Sequence, residues 1–138
     1  MYNFNMIDFT NELRIHNLKA TPQRLAISDA MQTHGHINID ALYTIMLKKF
    51  NSISLATIYK NINLMLENSF IQEVKLPQNK SVYELTKEVH SHLVCQKCNK
   101  ILDINLELQT ILNEAQAQSD FKISKSNLVL SGICKKCQ

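Results

Sequence analysis

Two C-x-x-C pairs, Cys95 with Cys98 and Cys134 with Cys137, contain all four cysteines of this 138-residue chain. Each pair brings two thiolates to one ion, and two pairs complete the closed, tetrahedral, all-sulfur shell that suits zinc. The 35 residues between the pairs exceed a finger loop, so the fold itself has to bring the pairs together. Four sulfurs leave no open coordination position, which gives the expected Zn2+ ion, one per chain, a structural role. The competing reading is a pair of redox dithiols, making the chain a zinc-supported thiol oxidoreductase. Lys97, Lys135 and Lys136 would lower thiol pKa values in either case, so they do not discriminate.

The segment Met1 to Thr10 carries Asp8 and lacks the basic and apolar regions of a secretory signal. No apolar run approaches membrane-spanning length. The expectation is a cytoplasmic protein without a membrane partner, where reducing conditions favour metal ligation over disulfides. Fifteen Lys and Arg against twelve Asp and Glu give a net charge of +3. Neither side of Leu85 is a basic arm, with 8 basic and 7 acidic residues up to it and 7 and 5 after it. A nucleic-acid partner would therefore depend on locally placed charge.

The first half reads as helices. Phe9 and Leu13 share one helical face, and Thr21 before Pro22 supplies an N-cap and a first-turn proline for a helix to about Thr33. Its inner face is Ile27, Ala30 and Met31. Asn38 caps a third helix with a Leu42, Ile45 and Met46 stripe, ending near Phe50. Ser54 caps a fourth, in which Ile58, Ile62, Met65 and Leu66 point inward while Tyr59, Lys60 and Asn63 point out. Two helices joined by a short polar link, the second exposing a polar face, match a helix-turn-helix. Extended runs Phe70 to Leu76 and Ser81 to Leu85, with Pro77 to Lys80 between them, make a hairpin.

The expected fold class is thus α+β: a winged helix-turn-helix domain over 1–85, then a small α/β domain over 86–138 with the four-cysteine zinc site. In the second domain the expected elements are extended runs at His92 to Val94 and Ile101 to Ile104, an amphipathic helix from about Leu106 to Gln118, and a strand from Phe121 to Ile133. His90 and His92 fall on one face of an extended segment. Glu84, His36 and Asp103 are the other plausible donors, and imidazole with carboxylate suits iron, manganese or zinc. His16 and His34 read as surface residues.

Thr21-Pro22-Gln23-Arg24, Ser54 to Lys60, His90-Ser91-His92 and the paired cysteines occur in the order seen in the ferric uptake regulator family, which the chain resembles over nearly its whole length. Within that family it looks like the peroxide-responsive repressors, which are homodimers. The resemblance implies a regulatory site of His36, Glu84, His90, His92 and Asp103 for Fe2+ or Mn2+, separate from the zinc. Metal would draw the domains into a dimer gripping double-stranded, A·T-rich, near-palindromic operator DNA. Peroxide would oxidise His36 or His90 and release the DNA.

The implied DNA contacts are Tyr59 and Lys60 in the major groove, Arg24 and Ser54 on phosphates, and Thr57 beside them, with Lys19 and Lys80 adding positive charge. Asp103 stands where peroxide sensors carry Asp and iron-uptake regulators usually carry Glu. Val89, Ser91 and Ser126 stand where an extra metal site would need donors. Glu84 departs from the Asp of the best-known peroxide sensors. Ser69 replaces a common glycine, leaving Asn68 to take the left-handed turn. An apolar dimer surface is expected from Ile104, Leu106, Leu128, Leu130 and Ile133. An iron- or manganese-responsive regulator without peroxide chemistry is the rival within the same architecture, and a zinc-ribbon interaction module is a further one.

Overall fold

A computed structural model describes residues 7–138, so the part of the N-terminal segment at 1–6 lies outside the described residues. The chain divides into two compact units, Met1–Lys87 and Glu88–Gln138. Among the described residues no helix is long and apolar enough to cross a membrane.

In the first unit, α1 is the short helix Thr10–Ile15, and α2, Pro22–His34, starts where the Thr21 side chain accepts from the Arg24 N–H. Gly35 ends α2 at φ 73°, a left-handed turn open to a residue without a Cβ, and redirects the chain into β1, Ile37–Asn38. Asn38 caps α3, Ile39–Lys49, by accepting from the Ala41 N–H, and Ser54 caps α4, Leu55–Glu67, by accepting from the Thr57 N–H. Strands β2, Ile71–Val74, and β3, Val82–Leu85, pair antiparallel, and β1 pairs with β3 to give the order β1-β3-β2.

Three helices thus pack with a small antiparallel sheet. Ile27 and Met31 of α2, Leu42 and Met46 of α3, and Ile58, Ile62 and Met65 of α4 are all essentially inaccessible. Burying a side chain of this size is worth about 1.5–3 kcal/mol, so these seven contribute heavily to the unit's stability. The strand β1 was not anticipated, because its two residues read from sequence alone as the approach to the Asn38 cap. Nor does Asn68 take the left-handed turn. Asn68 has φ −93°, and Ser69 itself takes φ 59°.

In the second unit β4, Ser91–Cys95, is central, antiparallel to β5, Ile101–Ile104, and parallel to β6, Val129–Gly132. The helix α5, Gln109–Ser119, lies in the connection that makes β4 and β6 parallel, as such a connection requires. It begins three residues later than expected, after Glu107 accepts from the Gln109 N–H at 2.8 Å. The last strand is much shorter than the expected Phe121 to Ile133, because only Val129–Gly132 finds a pairing partner, and Asp120 turns left-handed at φ 57°. Val94 and Cys95 are the buried hydrophobic residues of this unit among the described residues.

Candidate metal centres and nucleic-acid face

The cysteine site is built by β4, the turn after it, the end of β6 and a 3-10 turn over Lys135–Cys137. The four sulfurs lie within 4.8 Å of one another. Cys98 Sγ is 3.7 Å from Cys134 Sγ, close to the edge of about 3.8 Å that a tetrahedron with 2.3 Å zinc–sulfur bonds would have. The backbone N–H groups of Cys98 and Cys134 point at Cys95 Sγ from 3.5 and 3.3 Å. Those donors, Cys134 first, lower the Cys95 thiol to about 6. Cys137 is pushed up to about 12, chiefly by its contact with the Cys134 side chain. The donor set fits zinc, and one convergent cluster speaks against two separate redox dithiols.

The histidine and carboxylate donors fall into two sets. In the first unit, His36 follows the Gly35 turn, and its Nε2 lies 2.8 Å from Glu84 Oε2 on β3. Glu84 is 1% exposed, and its Oε1 accepts from Gln72 Nε2 at 2.6 Å across the β2–β3 pair. In the second unit, His92 and Asp103 are register partners on β4 and β5, with His92 Nε2 3.3 Å from Asp103 Oδ1. His90 Nε2 lies 3.5 Å from the same oxygen. His90 Nδ1 is 2.7 Å from the Glu88 carbonyl, which only accepts, so Nδ1 donates in this contact and orients the ring. Imidazole nitrogen beside carboxylate oxygen in both sets suits a borderline divalent ion such as ferrous iron or manganese. His34 is exposed, while His16 is half-buried with its ring edge-on to Phe70 at 5.4 Å.

The residues expected at DNA sit on α2 and α4. Tyr59 is 41% exposed and Lys60 is exposed, both on the outer face of α4. Ser54 and Thr57 hydroxyls lie 2.9 Å apart at its N-terminus. Arg24 is engaged within the unit: its Nε donates to Asn61 Oδ1 at 3.1 Å and its Nη1 to the Lys19 carbonyl at 3.1 Å. Lys80, between the hairpin strands, is paired with Asp40 at 2.6 Å, which raises its pKa and offsets its charge locally. Sequence reasoning did not single out Gln72 or Asn61. A polar residue on the inner stripe of α4 was the available signal for Asn61, and cross-strand register, the clue to Gln72, is not contained in one segment.

A winged-helix fold of this topology with a four-cysteine cluster and imidazole–carboxylate pairs defines a class of metal-binding transcription regulator. The ferric uptake regulator family model matches residues 16–131, and the chain belongs to that family. It is 31% identical over 128 residues to the peroxide-responsive repressor PerR of Staphylococcus epidermidis, covering 91% of this chain and 85% of that protein. The PerR of Staphylococcus saprophyticus is 30% identical over 133 residues, covering 95% and 90%. Among solved structures, the Campylobacter jejuni peroxide stress regulator matches with TM-score 0.71 and 34% identity, covering 95% of this chain and all of that one. The Vibrio cholerae ferric uptake regulator matches with TM-score 0.73 and 27% identity, covering 92% and 100%.

Proposed function

We propose that this chain is a cytoplasmic, metal-dependent repressor that binds operator DNA as a homodimer and releases it when peroxide oxidises a metal-ligating histidine. The reading is carried by one observation: each unit contributes imidazole nitrogens beside a carboxylate, His36 with Glu84 in one and His90 and His92 with Asp103 in the other. Donors on separate units are satisfied by one ion only in one arrangement of those units. Binding therefore shifts the population toward that arrangement, by as much as the ion's affinities for the two arrangements differ.

Residues 1–85 serve as the DNA-binding domain in this reading. Tyr59 packs on thymine methyls, Lys60 reaches a guanine edge or phosphate, and Ser54, Thr57 and Arg24 orient the α4 N-terminus on the backbone. Residues 86–138 serve for dimerisation, supported by the exposed apolar side chains Leu102, Leu106 and Leu130. A two-fold dimer pairs with a near-palindromic site. Cys95, Cys98, Cys134 and Cys137 hold structural zinc.

Ferrous iron bound at the regulatory residues would supply one-electron chemistry toward peroxide. One peroxide oxygen is transferred to a carbon of the His36 or His90 ring and the other leaves as water. The oxidised ring ligates poorly, the arrangement that grips DNA loses its advantage, and the operator is released. Selecting a duplex from a random pool with Mn2+-loaded protein provides the probe. Mn2+ should then strengthen binding of that duplex by the intact protein, while His36→Ala and His92→Ala should each abolish the Mn2+ effect. Retention of it in both would reject the shared site.

A further inference from the structure

Gln72 and Glu84 are register partners on β2 and β3, so their side chains leave the same face of the sheet. A carboxylate only accepts, which fixes the Gln72 amide with its NH2 toward Glu84 Oε1, at 2.6 Å. The other oxygen, Oε2, faces His36 Nε2 at 2.8 Å. The two oxygens of a carboxylate that is almost completely buried therefore have different neighbours, a neutral amide donor on one and a ligand-type imidazole on the other. From this asymmetry we infer that Gln72 is a positioning residue that fixes Glu84 as a one-oxygen ligand for the divalent ion, and so sets how many positions on that ion stay open. This rests on the shared regulatory site proposed above.

The physical basis is competition for Oε1. A carboxylate that chelates with both oxygens takes two coordination positions, and one whose second oxygen is held by a donor takes one. Glu84 has one more methylene than Asp and hence more ways to swing into chelation, so restraint matters more here than it would for the shorter side chain. Gln72 supplies it from a strand, a rigid mount, by the kind of supporting hydrogen bond that orients ligating carboxylates.

The test uses full-length, zinc-replete protein titrated anaerobically with Mn2+ alone. Affinity is read by calorimetry, and carboxylate binding mode by the infrared splitting between asymmetric and symmetric stretches on Mn2+ addition. Gln72→Met keeps the shape without the donor, and Gln72→Asn keeps an amide too short to reach. Both should bind Mn2+ about tenfold or more weakly, with the splitting narrowed toward the two-oxygen mode. In a Glu84→Asp background, whose carboxylate is withdrawn from the amide, Gln72→Met should change affinity less than about threefold. Equal losses in both backgrounds with unchanged splitting would reduce Gln72 to a packing residue and overturn the inference. Wild-type and Gln72→Met proteins binding Mn2+ alike would overturn the inference alone, whereas a wild type that binds no Mn2+ would overturn it together with the shared site.

Discussion

Arg24 on α2 and Asn61 on α4 are joined side chain to side chain, with the guanidinium Nε 3.1 Å from the amide oxygen. Asn61 is buried on the inner face of α4, and its own NH2 donates to the Thr57 carbonyl at 3.1 Å. The residue expected at a phosphate is thus also a brace between the two helices. Arg24→Ala leaves the buried Asn61 oxygen without this donor, at a cost of about 1–3 kcal/mol. Denaturant unfolding should show that loss, and Arg24→Ala combined with Asn61→Leu should recover part of it. Simple addition of the two single losses would mean that the contact carries no coupling.

Tyr59 lies on the opposite, exposed face of the same helix. Tyr59→Ala should weaken binding of a selected duplex by about 1–3 kcal/mol and leave binding to unrelated DNA nearly unchanged, with salt held constant because phosphate contacts respond to it. An equal loss on both duplexes would place Tyr59 against the backbone.

Ser69 occupies the left-handed region at φ 59° directly after Asn68, the α4 C-cap. An L-residue there loses about 1–2 kcal/mol, while glycine adds back about 0.4–1 kcal/mol through the freedom of the unfolded chain. Ser69→Gly should therefore stabilise modestly and Ser69→Val destabilise, as read by denaturant midpoints. A destabilising glycine would show that the serine side chain contributes more than its backbone costs.

Much of the first unit was legible because its signals are local. Thr21 before Pro22, Asn38 and Ser54 each cap a helix through the side chain expected from sequence, and the inward stripe of Ile58, Ile62 and Met65 is buried. The four cysteines were legible because spacing alone encodes the knuckle, and they converge. What escaped was non-local. The pairing of Ile37 with Tyr83, the stop of pairing before Val129, and the reach of Gln72 to Glu84 all depend on which strand lies alongside. The brace that Arg24 makes with Asn61 escaped for the same reason, since the two are 37 positions apart.

The second unit buries little apolar surface of its own, Val94 and Cys95 among the described residues, so zinc should supply much of its folding free energy. Chelation, or Cys98→Ser, should collapse amide dispersion for residues 88–138 in an NMR spectrum while the helices of the first unit keep theirs. A second unit that stays folded without zinc would show that its folding free energy comes from elsewhere. Ligation needs thiolates, so zinc should also be lost more readily as pH falls.

In the proposed function, a histidine bound to iron reports peroxide to the DNA face. The most direct measurement is anaerobic binding of a selected duplex, at fixed salt, by zinc-replete protein loaded with ferrous iron or with manganese, before and after a brief low dose of peroxide. Mass spectrometry of the peptides containing His36 and His90 accompanies it. Only the iron form should release DNA, and one of these histidines should gain a single oxygen atom. DNA retained by both forms with both histidines intact would contradict it and leave a regulator that responds to metal alone.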